Sequence, residues 1–460
     1  MKTSKRSRKK QKRHTKHTKR AKRPKTGLAP KLGPKSRSII NRDKKVISTS
    51  YTRGHPLVVG NGIGANIWDV DGNQYIDFTS GIAVANVGHS NPDVVSAVKA
   101  QSNKILHNAG TDFYNELEVE LAEKLVKITP GRDQRVFYTN SGTESVECAF
   151  KLARWRSQRY RFISFINSFH GRTYASMTLS GSKPIHRDHF GPLVPGVVHV
   201  PYAYCYRCPY DHKHGQCEYE CLDYIEGVLL NTILPPDEVA GVFVEPIQGE
   251  GGYVVPPKEF MVGLQKLCKE NKFLLIADEV QTGFGRSGKW FASEHFGIKP
   301  DIICLAKGIA GGMPLGACIA HKNIMKWPPG SHASTFSGNP VSCAAALASI
   351  NYIEKHKLIQ NAAKLGKLGL ESLKDDLGDN NHVGDIRGLG LMIGIELVHS
   401  QKKKYPAHNL QTKAIKMAMK KGLLLLYGGK STIRIAPPLV IDKEQFEKGI
   451  EIIVDVLKKV

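Results

Sequence analysis

The sequence predicts an α/β protein built around a mostly parallel sheet, with a smaller α+β unit beside it. Three observations carry this expectation. Apolar runs at 162–166, 239–244, 273–277 and 302–305 are short, unalternating and bounded by turn residues, as strands buried on both faces are. Helix-like or loop segments separate them, which suits the long crossovers of parallel strands. Glu245, Asp278 and Lys307 each stand at or just past the end of such a run, and open α/β sheets bind ligands beyond the carboxyl ends of their strands.

The elements follow in chain order. Residues 67–78 read as a hairpin, with Asp71-Gly72-Asn73 turning between two alternating runs. Asn91-Pro92 opens a helix with Val94, Val95 and Val98 on one face, and a longer amphipathic helix covers roughly 115–128 before Pro130-Gly131. A strand at 135–139 runs through Asn140-Ser141-Gly142-Thr143-Glu144 into another helix. Unpaired N–H groups and a partial positive charge at that helix start make a seat for a phosphate. After Asn339-Pro340 comes a helix at 342–354, and 385–396 begins the α+β unit. The expected organisation is a disordered basic tail over 1–45, a segment at 46–100 that joins the small domain, a large domain over 101–340 and a small domain over 341–460.

Composition narrows the class. At 460 residues with 41% hydrophobic content, the chain has room for two or three domains and a large core. No apolar run approaches the roughly 18–20 residues of a membrane span, so no membrane insertion is expected. The net charge of +25 is mostly local, since residues 1–42 hold 18 Lys or Arg and no Asp or Glu. Such a tail suits either a solvated extension or salt-sensitive binding of a polyanion such as nucleic acid. Nine cysteines without a secretion signal point to a reducing compartment, the cytoplasm. The spacing of Cys205, Cys208, Cys217 and Cys221 admits zinc, disulfides or free thiols alike.

The chemistry is concentrated in one pair. Asp278 and Lys307, 29 residues apart, close two neighbouring runs, and Lys307 opens a glycine-rich turn. Pyridoxal phosphate needs such an acid and amine: the carboxylate keeps the ring nitrogen protonated and the amine holds the aldehyde as a Schiff base.

Six motifs in order resemble the class III (subgroup II) aminotransferases, from about residue 50 onward. They are Asn140-Ser-Gly-Thr-Glu144, Phe169-His170-Gly171-Arg172-Thr173, Glu245-Pro-Ile-Gln-Gly-Glu250, Asp278-Glu-Val-Gln281, Lys307-Gly-Ile-Ala-Gly-Gly312 and Thr335-Phe-Ser-Gly-Asn-Pro340. The resemblance implies a fold type I, pyridoxal-phosphate-dependent homodimer with a seven-stranded sheet. It makes Lys307 the Schiff-base lysine and Asp278 the partner of the ring nitrogen. Ser141, Gly142 and Thr143 would cup the phosphate, with Thr335 of a second subunit closing it. Phe169, His170 and Gln281 would complete the cofactor site. Arg434 would receive a substrate α-carboxylate, with Glu245 able to pair with and mask it. Arg172 would hold the distal carboxylate, and with Ile82 it favours 4-aminobutyrate as amino donor and 2-oxoglutarate as acceptor. The alternatives are an ornithine or acetylornithine aminotransferase, or an amino-acid racemase or epimerase, since the cysteine insert resembles a variant shared with racemases. The basic tail is no part of the family pattern.

Overall fold

The computed structural model of the protein describes residues 32–460. Its strands are β1 (Val59–Ile63), β2 (Asn66–Asp69), β3 (Gln74–Asp77), β4 (Gln134–Thr139), β5 (Arg161–Phe165), β6 (Val197–Val200), β7 (Val239–Val244), β8 (Leu274–Asp278), β9 (Ile302–Leu305), β10 (Gly316–His321), β11 (Val383–Leu389), β12 (Met392–Leu397), β13 (Leu423–Leu424), β14 (Leu426–Gly428) and β15 (Thr432–Ile435).

Seven of them form one sheet in the order β4-β10-β9-β8-β7-β5-β6. β5 to β9 run parallel, whereas β10 is antiparallel to both of its neighbours, so the sheet is mixed. The four runs expected as strands are β5, β7, β8 and β9. Each supplies both sheet faces, because successive side chains alternate. Phe162, Phe243 and Ile276 pack with Val146 and Phe150 of the helix Gly142–Ser157, while Ile163, Val242 and Leu275 pack with Phe260 and Leu264 of the helix Lys258–Glu270. The Phe150 and Phe162 rings stack with centroids 4.3 Å apart.

Two further sheets have four strands each. β11-β12-β15-β14 is antiparallel throughout. The other, β1-β2-β3-β13, contains the expected hairpin, and β13 from the C-terminal part pairs with β3 in parallel. The hairpin and the C-terminal chain therefore share a sheet.

The N-terminal expectation needs correction. A helix spans Pro34–Val46, and all but its last residue falls in the stretch expected to be disordered. Tertiary anchoring explains it: the backbone N–H groups of Lys35 and Ser36 donate to the Asp71 carboxylate at 3.1 and 3.0 Å, and Ser36 is buried. Residues 1–31, and the polyanion reading attached to them, lie outside the described residues. Among the described residues no helix is long and apolar enough to cross a membrane. All nine cysteines carry free thiols, and no group of three or more His, Cys, Asp or Glu is arranged to hold a metal ion among the described residues.

Candidate active site

A cavity of about 390 Å3 opens at the carboxyl ends of the central strands. Asp278 ends β8 and Lys307 follows β9, so the parallel pairing of these strands sets acid and amine on one edge. Both line the cavity, together with Ser141, Gly142, Thr143, Phe169, His170, Arg172, Glu245 and Gln281.

Asp278 is buried and its orientation is fixed. Oδ2 lies 2.8 Å from Nδ1 of His170, and Oδ1 accepts from the Val280 N–H at 3.0 Å. Burial would lower the His170 imidazole, but the hydrogen bond and charge of Asp278 outweigh it and hold its pKa above the usual value. Lys307 begins a tight turn with φ +47°, a left-handed conformation that costs a non-glycine residue energy and is characteristic of functional sites. Burial holds its amine below the usual lysine pKa, opposed by Asp278 and reinforced by Arg434.

The other end of the cavity is a helix start. Ser141 caps Gly142–Ser157, its hydroxyl accepting from the Glu144 N–H at 3.4 Å, while the Glu144 carboxylate accepts from the Asn140 N–H at 2.5 Å. The two side chains thus satisfy the Glu144 and Asn140 donors at the helix entry, and Ser141, Gly142 and Thr143 of its start line the cavity. Gly142 is required by close approach, since a Cβ there would lie 2.7 Å from Cγ1 of Val280. Thr143 accepts from the N–H groups of Arg172 and Thr173 at 3.3 and 3.2 Å, which holds the Phe169–Thr173 loop against the helix.

The residues expected to bind substrate depart from expectation. Glu245 does not pair with Arg434. Its oxygens accept from the Phe169 and Gly249 N–H groups, each at 2.8 Å, and burial pushes its pKa up to about 7. Glu250, five residues on, takes the place expected for Glu245: its Oε2 is 3.1 Å from an Arg434 guanidinium nitrogen. Glu245 follows β7 directly and is tied down by backbone donors, whereas Glu250 sits on the following glycine-rich loop and reaches β15, where Arg434 lies. The second acid of the motif was visible in sequence, but spacing could not say which acid reaches the arginine.

Arg172 is exposed and its guanidinium lies 5.4 Å from the Phe169 ring centroid. Ile82 and Thr335 are exposed and stand outside the cavity; Val84 lines it instead of Ile82. Val280, Met313 and Leu315, also cavity-lining, were not picked out from sequence, because apolar wall residues look like any core residue.

The site suits pyridoxal phosphate. Besides the acid and amine, two buried polar atoms of its walls, Nε2 of His170 and Oε1 of Gln281, have no protein partner, which is costly unless a ligand supplies one.

Known proteins agree. The class-III aminotransferase family model matches residues 48–457. The chain belongs to the class-III aminotransferase family. It is 40% identical to an alanine/serine racemase of Pyrococcus horikoshii over 93% of this chain and 91% of that one. It is equally 40% identical to an acetylornithine aminotransferase of Methanothermobacter thermautotrophicus, over 91% of this chain and 98% of the relative. Among solved structures, a Bacillus anthracis aminotransferase superposes with a TM-score of 0.85 at 31% identity, covering 93% of this chain and 99% of that one. The family is pyridoxal-phosphate-dependent and acts on amino and oxo acids, and this class-III aminotransferase shares its fold, with a large sheet whose strands are mostly parallel.

Proposed function

We propose that this aminotransferase takes the ω-amine of N-acetylornithine and delivers it to 2-oxoglutarate. The observation that carries this reading is the Glu250–Arg434 pair. An arginine already neutralised by a carboxylate accepts a first substrate that brings no α-carboxylate to it, and an α-oxo acid second. A racemase, which meets only α-amino acids, has no use for such a mask. The acetylornithine aminotransferase at 40% identity favours that donor over the 4-aminobutyrate suggested by Ile82 and Arg172.

Pyridoxal phosphate, when bound, supplies an electrophilic aldehyde and an electron-withdrawing ring. Lys307 is the amine that would hold the aldehyde, and its lowered pKa leaves more neutral base to move a proton at the reacting carbon. Asp278, held by His170, would keep the proton on the ring nitrogen. The N–H groups at Ser141–Thr143 would receive the phosphate. Arg172 would hold the donor's distant carboxylate. Thr335 and Ile82, together with the exposed Phe113, Tyr114 and Phe336, fit a homodimer in which a second copy completes the cup.

The deciding experiment incubates the holoenzyme with N-acetylornithine, ornithine, 4-aminobutyrate and L-alanine, each with 2-oxoglutarate, and records both glutamate formation and loss of optical rotation. Glutamate from N-acetylornithine in preference to the other donors is expected, with none from a Lys307→Ala control. Racemisation of alanine without glutamate would replace this reading with the racemase one, which the Pyrococcus horikoshii relative favours.

A further inference from the structure

Glu250 carries a second cation. Its Oε1 is 2.6 Å from Nζ of Lys183, while Oε2 faces Arg434. Lys183 lies between the helix Tyr174–Leu179 and the turn Pro184–His186, whereas Arg434 lies on β15, and each meets a different oxygen of the carboxylate. Arg434 is buried, Glu250 is largely so, and Lys183 remains one-third exposed at 35%. Burial pushes the Glu250 carboxyl up, but Arg434 and Lys183 together hold it below its usual value, so it is ionised. Lys183 also borders a cavity of about 680 Å3, which it shares with Asn167, Gly251 and Lys430.

We propose that Lys183 is a positioning residue that sets how readily Arg434 accepts a substrate α-carboxylate, by keeping Glu250 paired after Arg434 releases it. The inference rests on the reading of Arg434 as the α-carboxylate receptor. When Glu250 masks Arg434, its charge has two partners. When a substrate carboxylate takes Arg434, Glu250 would be left as an unpaired charge in a largely buried place, which is unfavourable. Lys183 removes that cost. Losing Lys183 therefore harms the open arrangement more than the masked one, because the masked one still has Arg434. The consequence is selective: the α-amino or α-oxo acid half of the reaction depends on Lys183, and the ω-amine half does not.

The test uses holoenzyme carrying Lys183→Gln, Lys183→Arg, Glu250→Gln and the double change Lys183→Gln/Glu250→Gln. Each half-reaction is followed separately by the cofactor absorbance, with L-glutamate or with N-acetylornithine. Calorimetric binding of unreactive glutarate gives a readout independent of turnover. Lys183→Gln is expected to lower kcat/KM for L-glutamate about tenfold, chiefly through KM, and to weaken glutarate by a similar factor. N-acetylornithine should stay within about twofold, and Lys183→Arg should restore L-glutamate. In the Glu250→Gln background, removing Lys183 should change nothing further. Equal losses in both half-reactions, or an undiminished Lys183 effect without Glu250, would overturn the inference. Should N-acetylornithine fail as a donor for the unmodified enzyme, the donor assignment falls, while glutarate binding still decides the role of Lys183.

Discussion

Glu245 shows how one side chain can be assigned correctly to a place and wrongly to a partner. Its position after β7 put it in the cavity, yet two backbone N–H groups hold it there and Glu250 reaches Arg434. Burial comes first among the causes that raise the Glu245 pKa to about 7, with the Asp278 charge adding to it and His170 opposing. The folded protein thus binds this proton more tightly than the unfolded chain. The resulting stability is complete below about pH 4.5 and is lost as pH rises through about 7. Glu245→Gln removes the titration but gives up one of the two acceptors for the Phe169 and Gly249 N–H groups, a loss that does not vary with pH. Relative to the unmodified protein it should gain roughly 2–3 kcal/mol between pH 5 and pH 8, read from denaturation midpoints. A difference that does not change with pH would show that Glu245 titrates normally.

At the scale of elements, the signals that survive are local ones. The helix over 116–128 was expected from its apolar spacing and begins where Asn115 accepts from the Leu117 N–H. The last helix, Lys443–Leu457, is capped by Asp442, which accepts from the Gln445 N–H at 2.7 Å. It carries Phe446 against Phe78, ring centroids 5.6 Å apart. Asp442→Ala removes an exposed cap far from the cavity, so it should cost about 1 kcal/mol of stability and leave cofactor absorbance untouched. An unchanged unfolding midpoint would mean that packing alone fixes this helix start. Elements without a strong local signal were missed: β10, Gly-Ala-Cys-Ile-Ala-His, and β1, Val-Gly-Asn-Gly-Ile, become strands because a neighbouring strand offers its open edge.

Across the whole molecule, Arg286 joins three distant stretches of chain. Fully buried, it donates to the carbonyls of Leu391 and Pro437 at 3.0 and 2.6 Å and to Oδ1 of Asn86 at 2.6 Å. Burial lowers its pKa to about 10, which still leaves it charged at neutral pH. Arg286→Met strands these acceptors in the interior and should destabilise the protein by about 3–5 kcal/mol. Unfolding at unchanged denaturant concentration would show that the stretches are held by apolar packing instead. Nothing in the local sequence marks this role for Arg286, since its partners lie 105, 151 and 200 residues away. The same distinction separates what the sequence determined from what the tertiary structure decided. Residue type and spacing along the chain determined the parallel core, the acid–amine pair Asp278 and Lys307 and the capped turn at Ser141, because strand ends and helix starts are local facts. Only the tertiary structure decided that Glu250 pairs with Arg434, that Lys183 also pairs with Glu250, and that the helix at 34–46 is anchored by Asp71, because each depends on which loops meet when the sheets pack.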